Sequence, residues 1–301
     1  MRQDHKTRFA EFFAAQIRNP HTRRAYMRAT IDFLTFIERT YNVTTLQQVQ
    51  PLHVASWVEL MTTTHAPPTV KARLAAIRHL FDWLASGHVM PVNPAHVVRG
   101  PRHSVKRGKT VVLAPDEARQ IIDAIDVSTL RGQRDRALIG LMVYTFARVA
   151  AALQMTVADV FHERRRLWVR LHEKGGKEHV MPCHHNLEAW LQDYLDKTAL
   201  AADPKAILFQ SMPRWGEQMT GQPLSQADAF QMVRRRSADA GILANVGNHS
   251  FRATGITAYL KNGGTLETAA AMANHSSTRT TQLYDRRSDD VTLDEVERIL
   301  I

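Results

Sequence analysis

The chain has 301 residues, of which 44% are hydrophobic and 23% charged, with a net charge of +10. This composition excludes a disordered or collagen-like chain, and the length suits two domains of ordinary size. The basic residues are 30 Arg and 9 Lys, and Cys183 is the single cysteine, which excludes an intrachain disulfide and fits a reducing cytoplasm.

No apolar run approaches the roughly twenty residues of a membrane span. Met1 to Lys6 leads into no signal-peptide core. The expectation is a soluble, cytoplasmic protein with no membrane partner. The charge is uneven: residues 1–110 hold 16 basic and 6 acidic side chains, net +10, and residues 111–301 hold 23 of each. The last fourteen, 288–301, carry five acids and one Arg, which leaves +4 for 111–287. A polyanion gripped by the N-terminal part explains this pattern, and a solvated basic surface competes with it.

In chain order, residues 1–98 read as a small helical bundle. Apolar stretches near Phe9–Ile17 and Val54–Met61 give two short helices. Tyr26, Thr30, Phe33, Leu34 and Ile37 share the face of a third, preceded by Asn19-Pro20 as turn and N-cap. Val70, Leu74, Ile77, Phe81 and Leu84 share the face of a fourth, which starts at Pro67-Pro68 and stops at Gly87, read as a left-handed C-cap. Trp57 and Trp83 read as core. Residues 99–111 are basic and turn-rich, a linker able to track a phosphate backbone.

The region 112–287 reads as mainly α with a short β-sheet. Pro115-Asp116-Glu117 opens a helix. An apolar helix covers Ala137–Tyr144, with Arg148 read as closing it. Leu167 to Leu171 alternates as a strand, turns through Glu173-Lys174-Gly175-Gly176-Lys177-Glu178, and pairs back with His179-Val180-Met181. Helices resume at Leu187–Leu195, at Ser225–Ala240 and almost continuously from His249 to Tyr284. Leu293, Val296 and Leu300 share a helical face in the acidic tail 288–301.

Three stretches carry candidate chemistry. Arg148 lies in apolar sequence and needs an anion, which an internal salt bridge also supplies. His249 and Arg252, at i and i+3, pair a proton acceptor with a fixed cation on one helix face. His275 and Tyr284 lie nine residues apart, either side of a turn and a short helix, and a tyrosine hydroxyl becomes a nucleophile when cations neutralise a phosphate beside it. Each alone is common. Cys183-His184-His185 holds metal-ligand types, but adjacent side chains point apart, so no metal is expected. Arg164-Arg165-Arg166 and Arg234-Arg235-Arg236 are read as part solvated face, part phosphate contact.

Taken in order, Arg148, a hairpin lysine, His249-x-x-Arg252, His275 and Tyr284 resemble the tyrosine recombinases, the phage-integrase family. Thr22-Arg23-Arg24-Ala25-Tyr26 and Val70-Lys71-Ala72-Arg73-Leu74 look like that family's core-binding domain. The resemblance spans nearly the whole chain. It implies a SAM-like four-helix core-binding domain, then a mixed α+β catalytic domain, the two closing on duplex DNA with an inverted-repeat core site. Arg23, Arg24, Lys71, Arg73, Lys106, Arg107 and Lys109 are the implied DNA contacts.

The resemblance also implies roles. Tyr284 attacks a phosphate to form a 3′-phosphotyrosyl bond and frees a 5′-hydroxyl. Arg148 and Arg252 clamp the non-bridging oxygens, His249 takes the tyrosine proton, and His275 hydrogen-bonds the phosphate. Lys174 or Lys177 protonates the leaving oxygen; the family pattern favours Lys174, and hairpin geometry leaves Lys177 open. No metal, ATP or other cofactor is implied. Partners are a homotetramer on synapsed DNA, with the tail docking on a neighbouring protomer, and accessory DNA-bending proteins as an option. A nucleoid-associated location follows. The chain departs from the pattern at Phe146, where the family has glycine, at Ala151, where it has an acid that buttresses the first arginine, and at Ala253, often His. Two other readings are a type IB topoisomerase that only relaxes supercoils and a catalytically silent DNA-binding regulator.

Overall fold

The computed structural model describes residues 3–104, 108–173, 176–216 and 218–286. The chain divides into two compact units, 1–104 and 105–301. Lys106, Arg107, Lys174 and the tail 288–301 lie outside the described residues.

The first unit is all helical. Helix α1 (Gln3–Glu11) continues as a π-helical turn (Phe12–Gln16), followed by α2 (Pro20–Tyr41), α3 (Pro51–Thr64) and α4 (Pro67–Ser86). Three of the helices begin with proline, whose missing N–H costs nothing in the first turn. Asn19 caps α2, its Oδ1 accepting from the backbone N–H of His21 at 2.9 Å and Thr22 at 3.2 Å. Phe12, Phe33, Ile37, Leu74, Ile77 and Phe81 fill the core with Trp57, whose indole donates to Asp32 at 3.2 Å. Trp83 is half-buried under the Arg8 guanidinium and donates to the Arg8 carbonyl at 3.0 Å. Gly87 does not take the left-handed conformation expected of it. Its φ is −93°, and the left-handed residue is His88, at φ 53°. The Arg8 side chain lies against Gly87, where an added Cβ would meet Nε at 2.4 Å.

The second unit contains α5 (Pro115–Asp123), α6 (Leu130–Tyr144), α7 (Val149–Leu153), three strands, then α8 (His185–Asp196), α9 (Gln226–Asp239), α10 (Asn248–Lys261), α11 (Leu266–Met272) and α12 (Thr278–Gln282). Helix α6 starts seven residues before the apolar run that signals it. Thr129 caps it through Gly132 N–H at 3.0 Å. Its first half is charged, yet Arg134 and Asp135 are buried because they pair at 2.6 Å and Asp135 also accepts from Arg236 at 2.8 Å. That pairing revises the reading of Arg234-Arg235-Arg236: Arg236 and Arg235 face Asp135, and Arg234 donates to Asn245.

Strands β1 (Val160–Glu163), β2 (Arg166–Glu173) and β3 (Lys177–Pro182) form an antiparallel sheet in the order β1-β2-β3. The sequence reading contains β2 and β3 but not β1; Arg164 and Arg165 form the turn that joins β1 to β2. Leu167, Val169 and Leu171 point into the core, as their alternation dictates. They pack with Leu138, Leu141 and Met142 of α6, Leu187 and Leu191 of α8, and Met232 and Val233 of α9.

The helices expected almost continuously from His249 to Tyr284 are α10, α11 and α12, the last being the short helix expected between His275 and Tyr284. Gly263, at φ 86°, breaks the chain after α10, and Thr265 caps α11. Asn274, at φ 46°, ends α11, and Ser277 caps α12. Among the described residues no helix is long and apolar enough to cross a membrane.

Candidate active site

Arg148 does not close a helix. Helix α6 stops at Tyr144, the chain turns through Phe146, and Arg148 stands at the N-cap of α7. Phe146 has φ 53°, in the left-handed region that glycine occupies freely and a bulky side chain does not. This is the position where the resemblance expects glycine. Packing holds the strained residue: its ring is buried with Ile256, Leu260, Ala269 and Ala273, and lies edge-on to Tyr259. Gly255 makes room for it, since a Cβ there would sit 2.1 Å from the Val143 carbonyl oxygen and 2.9 Å from the Phe146 ring. The strain turns the Phe146 carbonyl onto Arg252, whose Nη1 donates to it.

Arg252 is 2% exposed, an unusual place for a guanidinium unless its donors are met. Besides Phe146, its Nη2 donates to the Ala273 carbonyl at 2.6 Å and to Nε2 of His275 at 2.7 Å. Both Nη2 protons are therefore committed, and the remaining donors are Nε–H and one on Nη1. Tyr284 and Glu173 lie close enough to favour the charged guanidinium. Burial first, and the Arg148 charge second, pull Arg252 down to about 10.

An arginine only donates, so Nε2 of His275 must accept, and its proton sits on Nδ1, 2.9 Å from Thr281 Oγ1. Desolvation, then the Arg252 and Arg148 charges, lower His275 to about 4. Its ring stacks on Tyr284, with centroids 6.1 Å apart. The resemblance gives His275 a hydrogen bond to phosphate; in this structure both ring nitrogens are already engaged, and His275 holds Arg252. His249, on the first turn of α10, is exposed as a whole residue. Desolvation by the atoms around it, then Arg252 and Arg148, nevertheless place it below the ordinary histidine range.

Tyr284 packs on the Phe146 cluster, just beyond α12. Its carbonyl accepts from Thr257 Oγ1 at 2.9 Å. Its neighbours are tied to Gly108: the Gly108 N–H donates to the Leu283 carbonyl at 3.0 Å, and Arg286 Nη2 donates to the Gly108 carbonyl at 2.9 Å. The Arg252–His275 hydrogen bond and the His275–Tyr284 stack bring these three side chains together, and the Arg148 charge acts on Arg252, His249 and His275.

Sequence reasoning missed Glu173, which it read as a turn residue. Glu173 continues the inward face of β2, is 8% exposed, and accepts from Arg148 Nη1. Lys177 pairs directly across the ladder from Glu173, on the same face, and is exposed.

The residues expected to touch DNA are scattered in their commitments. Arg24, Lys71 and Lys109 are exposed. Arg23 donates through Nε and Nη2 to the Ile17 carbonyl at 3.0 and 2.9 Å, and Arg73 pairs with Asp32 at 3.0 Å. Cys183 is half-buried, and burial pushes its thiol up to about 12. His184 stacks on Tyr144 at 4.2 Å and accepts from Asn186 N–H at 3.2 Å.

Comparison with known proteins places this arrangement. Residues 111–290 match the phage integrase family, and residues 7–88 match the phage integrase N-terminal SAM-like domain. A tyrosine recombinase XerC of Chlamydia pneumoniae is 28% identical over 291 residues, covering 90% of this chain and 89% of that protein. XerC of Thermodesulfovibrio yellowstonii is 24% identical over 265 residues, covering 88% and 85%. Among solved structures, the XerH site-specific recombinase bound to palindromic difH substrate superposes with a TM-score of 0.75 at 20% identity, covering 92% of this chain and 79% of that one. A lambda integrase dimer bound to a COC′ core site gives 0.72 at 17% identity, covering 96% and 97%. With the family model spanning more than half its length, the chain belongs to the phage integrase family and is a tyrosine recombinase.

Proposed function

We propose that Tyr284 is the nucleophile of a site-specific DNA recombination reaction run by this chain. The observation that carries the reading is the stack of the Tyr284 ring on His275, whose Nε2 accepts from the buried Arg252 of the same chain at 2.7 Å. A hydroxyl so placed sits beside a fixed positive charge with donors left for a phosphate.

In the proposed step the Tyr284 oxygen bonds to a backbone phosphorus and the bond to the 5′-oxygen breaks. The strand is left as a 3′-phosphotyrosyl ester and a free 5′-hydroxyl. His249 takes the tyrosine proton; its lowered pKa keeps it neutral at pH 7, the form a base needs. Arg148 and the uncommitted donors of Arg252 hold the non-bridging oxygens as charge gathers on them. A hairpin lysine, Lys174 or Lys177, gives a proton to the 5′-oxygen. Rejoining is the reverse attack by a 5′-hydroxyl, and the ester keeps the bond energy, so the step balances without ATP.

Assembly is part of the proposal. XerH and lambda integrase were solved on DNA, the latter also as a tetramer on a Holliday junction. Exchange between two duplexes needs four nucleophiles, hence four copies, two on each of two inverted-repeat sites. An apolar hollow of about 690 Å³, lined by Met181, Cys183, Tyr259 and Met272 among others, suits the apolar face of a neighbouring copy's tail. Accessory DNA-bending proteins fit the same scheme.

The test starts from a duplex selected by the full chain out of a random-sequence pool. Joining of strands between two labelled copies of that duplex is the expected result. Relaxation of a supercoiled plasmid without strand joining favours the topoisomerase reading, and binding without cleavage favours the silent regulator.

A further inference from the structure

The family's buttressing acid is missing in this chain, because Ala151 stands where it belongs and is itself buried. Arg148 therefore needs another anion. Glu173 is the one in contact: its Oε2 accepts from Arg148 Nη1, and its side chain is 4% exposed while that of Arg148 is 37% exposed. The pair is asymmetric. The carboxylate is sunk in the fold, and the guanidinium, engaged through Nη1, is part exposed. An ionised carboxylate this deep is tolerated only against a cation.

The strand explains the placement. Leu167, Val169 and Leu171 point inward, and Glu173 is the next residue in that register. An acid in this position is carried to the core edge by the same alternation that buries three apolar side chains. It also lies near Arg252, whose charge it favours. Glu173 thus pairs with Arg148 before any phosphate arrives, and its charge opposes the repulsion that Arg148 exerts on Arg252.

We propose that Glu173 is the positioning residue of the phosphate clamp, holding one edge of Arg148 so that the other faces the scissile phosphate. It does from the β-hairpin what the missing acid does from α7. One consequence is mechanical. Glu173 is the last residue of β2 and faces Lys177 across the ladder, so the strand pair that carries a candidate proton donor also aims the arginine. This proposal rests on the reading of Arg148 as a phosphate clamp.

The test uses the full chain and a selected duplex nicked next to the cleavage position, so that the covalent adduct accumulates. Adduct formation is timed at saturating DNA, below the melting temperature of every variant, alongside DNA affinity. Glu173→Gln keeps the size and loses the charge; Glu173→Asp keeps the charge and loses a methylene. The expected result is affinity unchanged within about threefold and adduct formation slowed about 10- to 100-fold by Gln. Asp retains more activity than Gln, whereas a packing role reverses that order. In an Arg148→Lys background the Gln change has less than about a threefold effect, because its target is gone. Gln equal to or faster than wild type overturns the proposal, the faster result marking Glu173 as a competitor of the phosphate. Gln equal to or better than Asp, or the same loss in both backgrounds, also overturns it. No adduct from wild type on the selected duplex overturns the recombination reading and this proposal together; an adduct from wild type with any of the other adverse results overturns this proposal alone.

Discussion

Nη2 of Arg252 lies 2.7 Å from Nε2 of His275, and the imidazole is thereby fixed as a neutral acceptor. Protonating Nε2 would set two cations against each other, in line with its lowering to about 4. The unfolded chain binds that proton from about pH 6.5 downward, and the native state resists until about pH 4. Stability is thus lost as pH falls through this window. Wild type should lose about 1–2 kcal/mol more than His275→Asn between pH 7 and pH 5. Thermal melts of both proteins at the two pH values check this, and equal losses contradict it.

Phe146 gives a prediction opposite to intuition. Glycine relieves the left-handed backbone at φ 53°, worth about 1–3 kcal/mol. It also deletes a buried ring from the small cluster under Tyr284, which costs about 3–5 kcal/mol. Phe146→Gly should therefore destabilise by roughly 1–3 kcal/mol, even though glycine is the residue the family pattern expects. Denaturant unfolding with unchanged slope measures it. A more stable variant would show that the ring contributes little.

The contrast between these residues explains what the sequence made legible. Arg148, His249, Arg252, His275 and Tyr284 stood out by order and residue type, and alternation located β2 and β3. Asn19 and Pro20 marked the start of α2 through local chemistry. Glu173 was hidden because a turn signal, Lys-Gly-Gly-Lys, starts at the next residue and a carboxylate there looks solvated. Only its register with Leu167, Val169 and Leu171 betrays an inward acid. The charged first half of α6 was hidden for a related reason: Asp135 and Arg134 are core residues that satisfy each other, a pairing that periodicity does not register. The turn and short helix between His275 and Tyr284 were legible, whereas the engagement of His275 by Arg252, a contact between segments distant in sequence, was not.

The hairpin lysines separate by leaving-group chemistry. A 5′-sulfur leaving group departs as a thiolate and needs no proton donor. Lys174→Ala should slow cleavage of the ordinary phosphodiester about 100- to 1000-fold and recover most of the rate on the sulfur substrate. Lys177→Ala should show a smaller loss and no selective recovery. Selective recovery by the Lys177 variant instead assigns the proton to that residue.

The tail carries assembly in this account. Deleting residues 288–301 should leave binding to a single site and adduct formation within about threefold, and abolish strand exchange between two duplexes. Gel-shift and exchange assays on the same preparation check the split. Unchanged exchange after the deletion contradicts docking of the tail on a neighbouring copy.

The central claim is that Tyr284 forms a covalent bond to DNA, and trapping that bond tests it most directly. Full-length protein is incubated with a selected, nicked, end-labelled duplex and then denatured. The account predicts a denaturation-resistant adduct whose labelled peptide contains Tyr284, and no adduct from a folded, DNA-binding Tyr284→Phe variant. An adduct of equal yield from that variant would contradict the assignment of the nucleophile.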